Sequence, residues 1–121
     1  MYRINITDHF SSAHQLRGYK GKCEELHGHN WKVQVEVEGE KLNETGLLMD
    51  FKDLKQITHT ILDRLDHRFL NDIDPFKNNN PTSEFISEYL FLEFNKSLPS
   101  SVTLVSVSVW ESENAYAVYF E

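Results

Sequence analysis

The sequence predicts an α+β fold: a four-stranded antiparallel sheet carrying two helices on one face, in the order β-β-α-α-β-β. Three observations lead there. Apolar and polar residues alternate at both ends of the chain, helical spacing replaces that alternation in the middle, and the few Pro and Gly residues fall as isolated punctuation without a repeat or linker. The 121 residues are therefore expected to form one domain, 1–121.

The first strand is expected from Tyr2 to about His14, where Ile4, Ile6 and Phe10 alternate with Arg3, Asn5 and Thr7. The second runs from about His29 to Glu38, with Trp31, Val33, Val35 and Val37 on one face and Asn30, Lys32, Gln34 and Glu36 on the other. Asp50 is a good N-cap for a helix whose Phe51, Leu54, Ile57, Ile61, Leu62 and Leu65 recur at helical spacing up to about Leu65. A second helix begins in Asn80-Pro81-Thr82-Ser83-Glu84, with Thr82 or Asn80 as cap, and carries Phe85, Ile86, Tyr89, Leu90 and Phe94 until Pro99. Two strands close the chain, Val102 to Val109 and Ala115 to Phe120, on either side of the turn-like Ser112-Glu113-Asn114.

Composition excludes several classes of function. A net charge of −7, from 12 basic against 19 acidic residues, speaks against nucleic acid and anionic membrane as partners, since both are bound largely through Lys and Arg. A single Cys makes no internal disulfide, and the early alternation of Met1 to Phe10 is neither a leader nor a membrane span. The expectation is a soluble cytoplasmic protein. Six His stand beside that one Cys, and they cluster.

His27-Gly28-His29 leads into the second strand, where residues two apart project to one face and two imidazoles can converge on one ion. His14, closing the first strand, is the natural third ligand if the two strands pair antiparallel. Three imidazoles with an open fourth position describe catalytic rather than structural zinc. The competing reading is an ordinary polar strand end. Cys23, four residues before His27, is either an inert small hydrophobe or, in its polar loop beside Lys22, an accessible thiol suited to act as base or nucleophile. Asp66-His67 follows the logic of a carboxylate orienting an imidazole for proton transfer, or else is a polar helix end favourably placed on the helix dipole. Glu111 is either a solvated strand terminus or a carboxylate able to accept two parallel N–H bonds from a planar amidine-like edge such as that of a pterin or guanine. His9 and His59 receive no role.

Taken together, Phe10-Ser-Ser-Ala-His14, Cys23-Glu-Glu-Leu-His27-Gly-His29-Asn30, Met49-Asp50-Phe51, Leu65-Asp66-His67-Arg68-Phe69-Leu70-Asn71, Asn80-Pro81-Thr82-Ser83-Glu84 and Trp110-Glu111 resemble the 6-pyruvoyl-tetrahydropterin synthase family, in order over nearly the whole chain. Within it, the chain looks most like the branch that forms 6-carboxy-5,6,7,8-tetrahydropterin in queuosine biosynthesis. The resemblance implies a tunnelling fold, with three subunits closing a twelve-stranded barrel and two trimers stacking as a homohexamer with shared active sites. It implies zinc (Zn2+) on His14, His27 and His29, Cys23 as base, Asp66 and His67 as a relay, Glu111 as pterin anchor, and Thr82 and Ser83 as further pterin contacts. The implied reaction is a lyase reaction on 7,8-dihydroneopterin triphosphate that releases acetaldehyde and triphosphate. Arg17, Lys20, Lys22 and Arg68 are the cations near enough in sequence to meet the triphosphate. Glu24 keeps an alternative open, because a folate-pathway branch uses a glutamate in this loop to form 6-hydroxymethyl-dihydropterin; the pyruvoyl-forming synthase and a non-catalytic pterin binder are the others.

Overall fold

A computed structural model describes residues 1–18 and 25–121. Its elements are β1 (Tyr2–His14), β2 (His27–Gly39), α1 (Phe51–Leu62), β3 (Arg68–Phe69), α2 (Ser83–Ser97), β4 (Thr103–Ser112) and β5 (Ala115–Phe120), with a 3-10 turn at Leu70–Asp72. The sheet runs β3-β1-β2-β4-β5. The expected α+β class and element order hold, with one correction to the strand count. After Asp66 and His67 the chain lies briefly alongside β1, pairing Ser12 with Arg68 and Ala13 with Phe69 in parallel, so a fifth, two-residue strand makes the sheet mixed. A strand this short has no periodicity to betray it.

The expected alternation sorts the sheet into two faces. Phe10, Trp31, Val33, Val35, Val37, Val107 and Val109 are buried beneath the helices. The opposite face of β1 and β2 is polar and cross-linked, Arg3 Nε to Glu38 at 2.9 Å, Gln34 to Asn5 at 2.9 Å and Ser11 to Asn30 at 2.7 Å. Helix α1 packs on β1 and helix α2 across β4 and β5. Asp50 caps α1 by accepting from Lys52 N–H, and Thr82 caps α2 by accepting from Phe85 N–H. Leu54, Ile61 and Leu62 of α1 and Ile86, Leu90, Phe91 and Phe94 of α2 complete the core. Each such side chain contributes about 1.5–3 kcal/mol when removed from water.

Helix α1 stops at Leu62, three residues before the expected end. Leu65 is still buried, but it arrives there through turns in which Leu65 N–H and Asp66 N–H both bond to Leu62 O. The apolar period thus outlasts the helix and delivers Asp66-His67 to the edge of β1. No helix among the described residues is long and apolar enough to cross a membrane.

Candidate active site

The antiparallel register of β1 and β2 sets His14 opposite His27 and Ser12 opposite His29. The pleat turns all three imidazoles to one face, and their ring centroids lie 4.6 to 5.1 Å apart. Trp31, wholly buried, forms the floor: its ring meets those of His14 and His29 edge-on at 4.9 and 5.2 Å, and its Nε1–H donates to Ser12 O.

Hydrogen bonding fixes two tautomers. His14 Nδ1 lies 2.8 Å from Pro81 O, and His27 Nδ1 lies 2.8 Å from Glu25 O. A carbonyl only accepts, so both Nδ1 atoms carry a proton, and in the neutral rings that bind metals both Nε2 atoms present lone pairs. Those two Nε2 atoms face one another at 2.9 Å. The Glu111 carboxylate adds a fourth donor set, its Oε1 lying 2.8 Å from His29 Nε2, 3.5 Å from His14 Nε2 and 3.8 Å from His27 Nε2. Electron pairs converging this closely repel unless a cation stands among them. Metal–ligand bonds of about 2.0–2.1 Å put neighbouring donors of a tetrahedron about 3.3–3.4 Å apart, and the observed separations straddle that spacing. His14, His27, His29 and Glu111 are therefore a group that could hold a metal ion, with ligand atoms all within 4.8 Å of one another.

Glu111 reaches this group because of a bulge. Trp110 pairs with Tyr116 and Ser112 with Ala115, which leaves Glu111 as the extra residue of β4 and re-aims its side chain. Its side chain remains 39 % exposed, and it lines a surface pocket of about 430 Å³ with Ser83, Glu84, Ala115, Tyr116 and Ala117. The structure thus brings Glu111 and Ser83 to one pocket at the rim of the histidine group. Thr82, by contrast, has its hydroxyl engaged as the α2 cap.

Asp66 and His67 are built differently. His67 adopts a left-handed backbone, φ 55°, which breaks the helical path and lets adjacent side chains meet: His67 Nδ1 lies 2.8 Å from Asp66 Oδ2. Ring and carboxylate of adjacent residues rarely meet without a turn, and His67 supplies the turn here. Asp66 Oδ1 accepts from Ser11 N–H at 2.8 Å, while His67 N–H donates to Ser11 O. The Ser11 N–H, and after it the His67 ring, hold the Asp66 carboxyl below its usual range, so it stays an anion able to orient the imidazole. Ser11 lies three residues before His14, about 10 Å along an extended strand. Among the described residues, no hydrogen bond or ion pair joins the Asp66-His67 pair to the three imidazoles.

Cys23, together with Lys20, Lys22 and Glu24, lies outside the described residues. Of the other cations named for a triphosphate, Arg17 donates its Nη2 to Phe76 O at 2.6 Å, a clasp within the fold, and Arg68 is exposed. Sequence reasoning missed the Trp31 floor, the Pro81 carbonyl behind His14 and the Ser11 seat of Asp66. The first was visible only as a core position, and the other two are backbone groups that carry no residue signature.

Comparison with known proteins agrees with this geometry. The sequence profile described as 6-pyruvoyl tetrahydropterin synthase matches residues 3–121. The chain is 38 % identical over 117 residues to a 6-carboxy-5,6,7,8-tetrahydropterin synthase of Synechocystis sp., covering 92 % of this chain and 87 % of that one. It is also 38 % identical over 119 residues to a dihydroneopterin monophosphate aldolase of Pyrococcus furiosus, covering 98 % and 96 %. The solved structure of Caenorhabditis elegans 6-pyruvoyl tetrahydropterin synthase superposes with a TM-score of 0.87 at 31 % identity, over 99 % of this chain and 95 % of that one. With a profile match over nearly its full length and a shared fold, the chain belongs to the 6-pyruvoyl tetrahydropterin synthase family of enzymes.

Proposed function

We propose that this protein is a zinc-dependent lyase that converts 7,8-dihydroneopterin triphosphate and one water to 6-carboxy-5,6,7,8-tetrahydropterin, releasing acetaldehyde and triphosphate, in the cytoplasmic synthesis of queuosine. The observation that carries the metal part is the convergence of two lone-pair imidazole nitrogens, held at 2.9 Å by carbonyls behind each ring, with a third imidazole and a carboxylate beside them. Zinc held by His14, His27 and His29 would supply a Lewis acid for the hydroxyl oxygens of the substrate side chain.

The remaining chemistry falls to the chain's own groups. Glu111 and Ser83 share a pocket in which the carboxylate can accept the 2-amino and N3–H edge of the pterin, and Thr82 stands beside them at the start of α2. Cys23 is assigned as the base at the side-chain carbon, and His67, oriented by Asp66, as the group that exchanges a proton at the adjacent carbon. Because the Asp66-His67 pair sits on the edge of β1, we assign it to a site completed between neighbouring chains. The single domain of 121 residues would then assemble as a homohexamer of two trimers, each trimer closing its open sheet edges. Sizing under native conditions tests that assembly.

A second reading is favoured by the similarity to the Pyrococcus furiosus aldolase and by Glu24 directly after Cys23: cleavage of a dihydroneopterin phosphate to 6-hydroxymethyl-dihydropterin. One experiment separates the readings. Zinc-loaded protein is incubated with 7,8-dihydroneopterin triphosphate and the products are identified by mass. A 6-carboxy product supports the proposal; a 6-hydroxymethyl or 6-pyruvoyl product, from the triphosphate or from the monophosphate offered in parallel, replaces it with a relative's activity, and both substrates unchanged with a pterin-binding role.

A further inference from the structure

Beyond the His14↔His27 pair, β1 no longer has β2 beside it, yet its backbone continues to be paired on the opposite edge. Asn71 Oδ1 accepts from Gln15 N–H at 2.9 Å, while Asn71 Nδ2–H donates to Gln15 O at 2.7 Å. Asn80 repeats the arrangement two residues on, with Oδ1 accepting from Arg17 N–H at 2.8 Å and Nδ2–H donating to Arg17 O at 2.7 Å. Along one edge a side-chain amide presents an N–H donor and its oxygen acceptor side by side, which matches the C=O and N–H of a single residue in an extended strand. Residues 15 and 17 are two apart, so in extended backbone their N–H and C=O groups point to the same edge.

The register supports the comparison with a strand. Strand β3 pairs Ser12 with Arg68 and Ala13 with Phe69, an offset of 56, and the Asn71 amide meets Gln15 at the same offset. After Phe69 the main chain turns away into the Leu70–Asp72 turn, and the Asn71 side chain takes over the pairing. Asn80 then hands on to Pro81, whose carbonyl accepts from His14 Nδ1–H. Buried His14 is thereby held by β2 on one side and by the segment from Asp66 to Pro81 on the other, with the backbone after it fixed at Gln15 and Arg17.

We infer that Asn71 and Asn80 are positioning residues that act as surrogate strand partners, holding the His14 imidazole in its metal-facing tautomer. This rests on the reading of His14 as a metal ligand, and its test separates the two. In metal-free protein, amide hydrogen exchange should show the Gln15 and Arg17 N–H groups protected, and long-range proton–nitrogen spectra should show His14 protonated at Nδ1. Asn71→Ala and Asn80→Ala should release the matching amide and mix the His14 tautomers. Asn71→Asp and Asn80→Asp, which keep the acceptor but place an oxygen against the carbonyl, should retain protection of the N–H and fold where an alanine variant does not. Zinc affinity, measured by competition with a chelator, should fall about ten- to a hundredfold in the alanine variants, the range seen when the partners behind metal ligands are removed. In turnover, kcat should fall with KM little changed. Unprotected Gln15 and Arg17 amides in the parent, or variants with lowered Tm but parental tautomer and zinc affinity, would overturn the inference. A parent that binds no zinc refutes the metal reading instead, and exchange and tautomer then decide the asparagine clamps alone.

Discussion

The two chemical groups of this chain are held in opposite ways. His14, His27 and His29 stand on two long antiparallel strands, their facing set by the pleat and the pairing, with the wholly buried Trp31 beneath. Asp66 and His67 stand on no regular element: a left-handed residue, two bonds to Ser11 and an 82 % exposed imidazole make up that group. The first is fixed by strand register and by the carbonyls behind His14 and His27. The second is pre-oriented yet open, its ring fixed by Asp66 and exposed to solvent.

Removing one imidazole should break the first group outright. His27→Ala should take bound zinc from about one per chain to none by elemental analysis, with the far-ultraviolet spectrum retained, since the sheet does not depend on that ring. Cys23→Ala should keep zinc and assembly while turnover falls on the order of a hundred- to ten-thousandfold; a parental rate would remove Cys23 from its assigned role.

The next comparison separates backbone from ring in the second group. His67→Asn and His67→Val both lose the imidazole and should lose activity alike, but the β-branched residue tolerates a left-handed φ poorly and should be the less stable by about 1–2 kcal/mol in urea unfolding. Equal stability of the two would mean that the turn relaxes without cost. A change far from both groups gives the control: at Gly39 an added Cβ would lie 2.6 Å from Leu48 Cδ1 and 2.9 Å from Ser101 O. Gly39→Ala should lower stability by about 1–3 kcal/mol and leave zinc affinity unchanged.

The smallest effect concerns pH. The Asp66 carboxyl titrates lower in the folded protein than in the unfolded chain, held down by Ser11 N–H and then by His67. Its contribution to stability is therefore fully present above the unfolded value, near 3.9, and is lost as pH falls through the folded one. Asp66→Asn should be the less stable protein at pH 6, and the gap to the parent should close in thermal melts below pH 4.

Much of this was legible beforehand. The strands that carry the three His announce themselves by alternation, Asp50 and Thr82 by capping chemistry, and the His14 to His27 partnership by the end of one strand meeting the start of the next. What escaped has a common cause. The two-residue β3, the end of α1 at Leu62, the Pro81 carbonyl behind His14 and the Ser11 seat of Asp66 all rest on main-chain groups, which are alike at every residue and leave no trace in composition or period.

The sequence by itself determined the fold class and the residues able to ligate or carry protons, because those follow from periodicity and side-chain chemistry, and its ordered motifs carried the resemblance to the family. Only the tertiary structure decided that Glu111, as the extra residue of a bulge, turns its carboxylate among the three imidazoles, and that two asparagines complete the strand holding His14. Both are meetings of groups 56 to 97 positions apart, where pairing register and the direction of a single side chain, not local preference, fix which atoms touch.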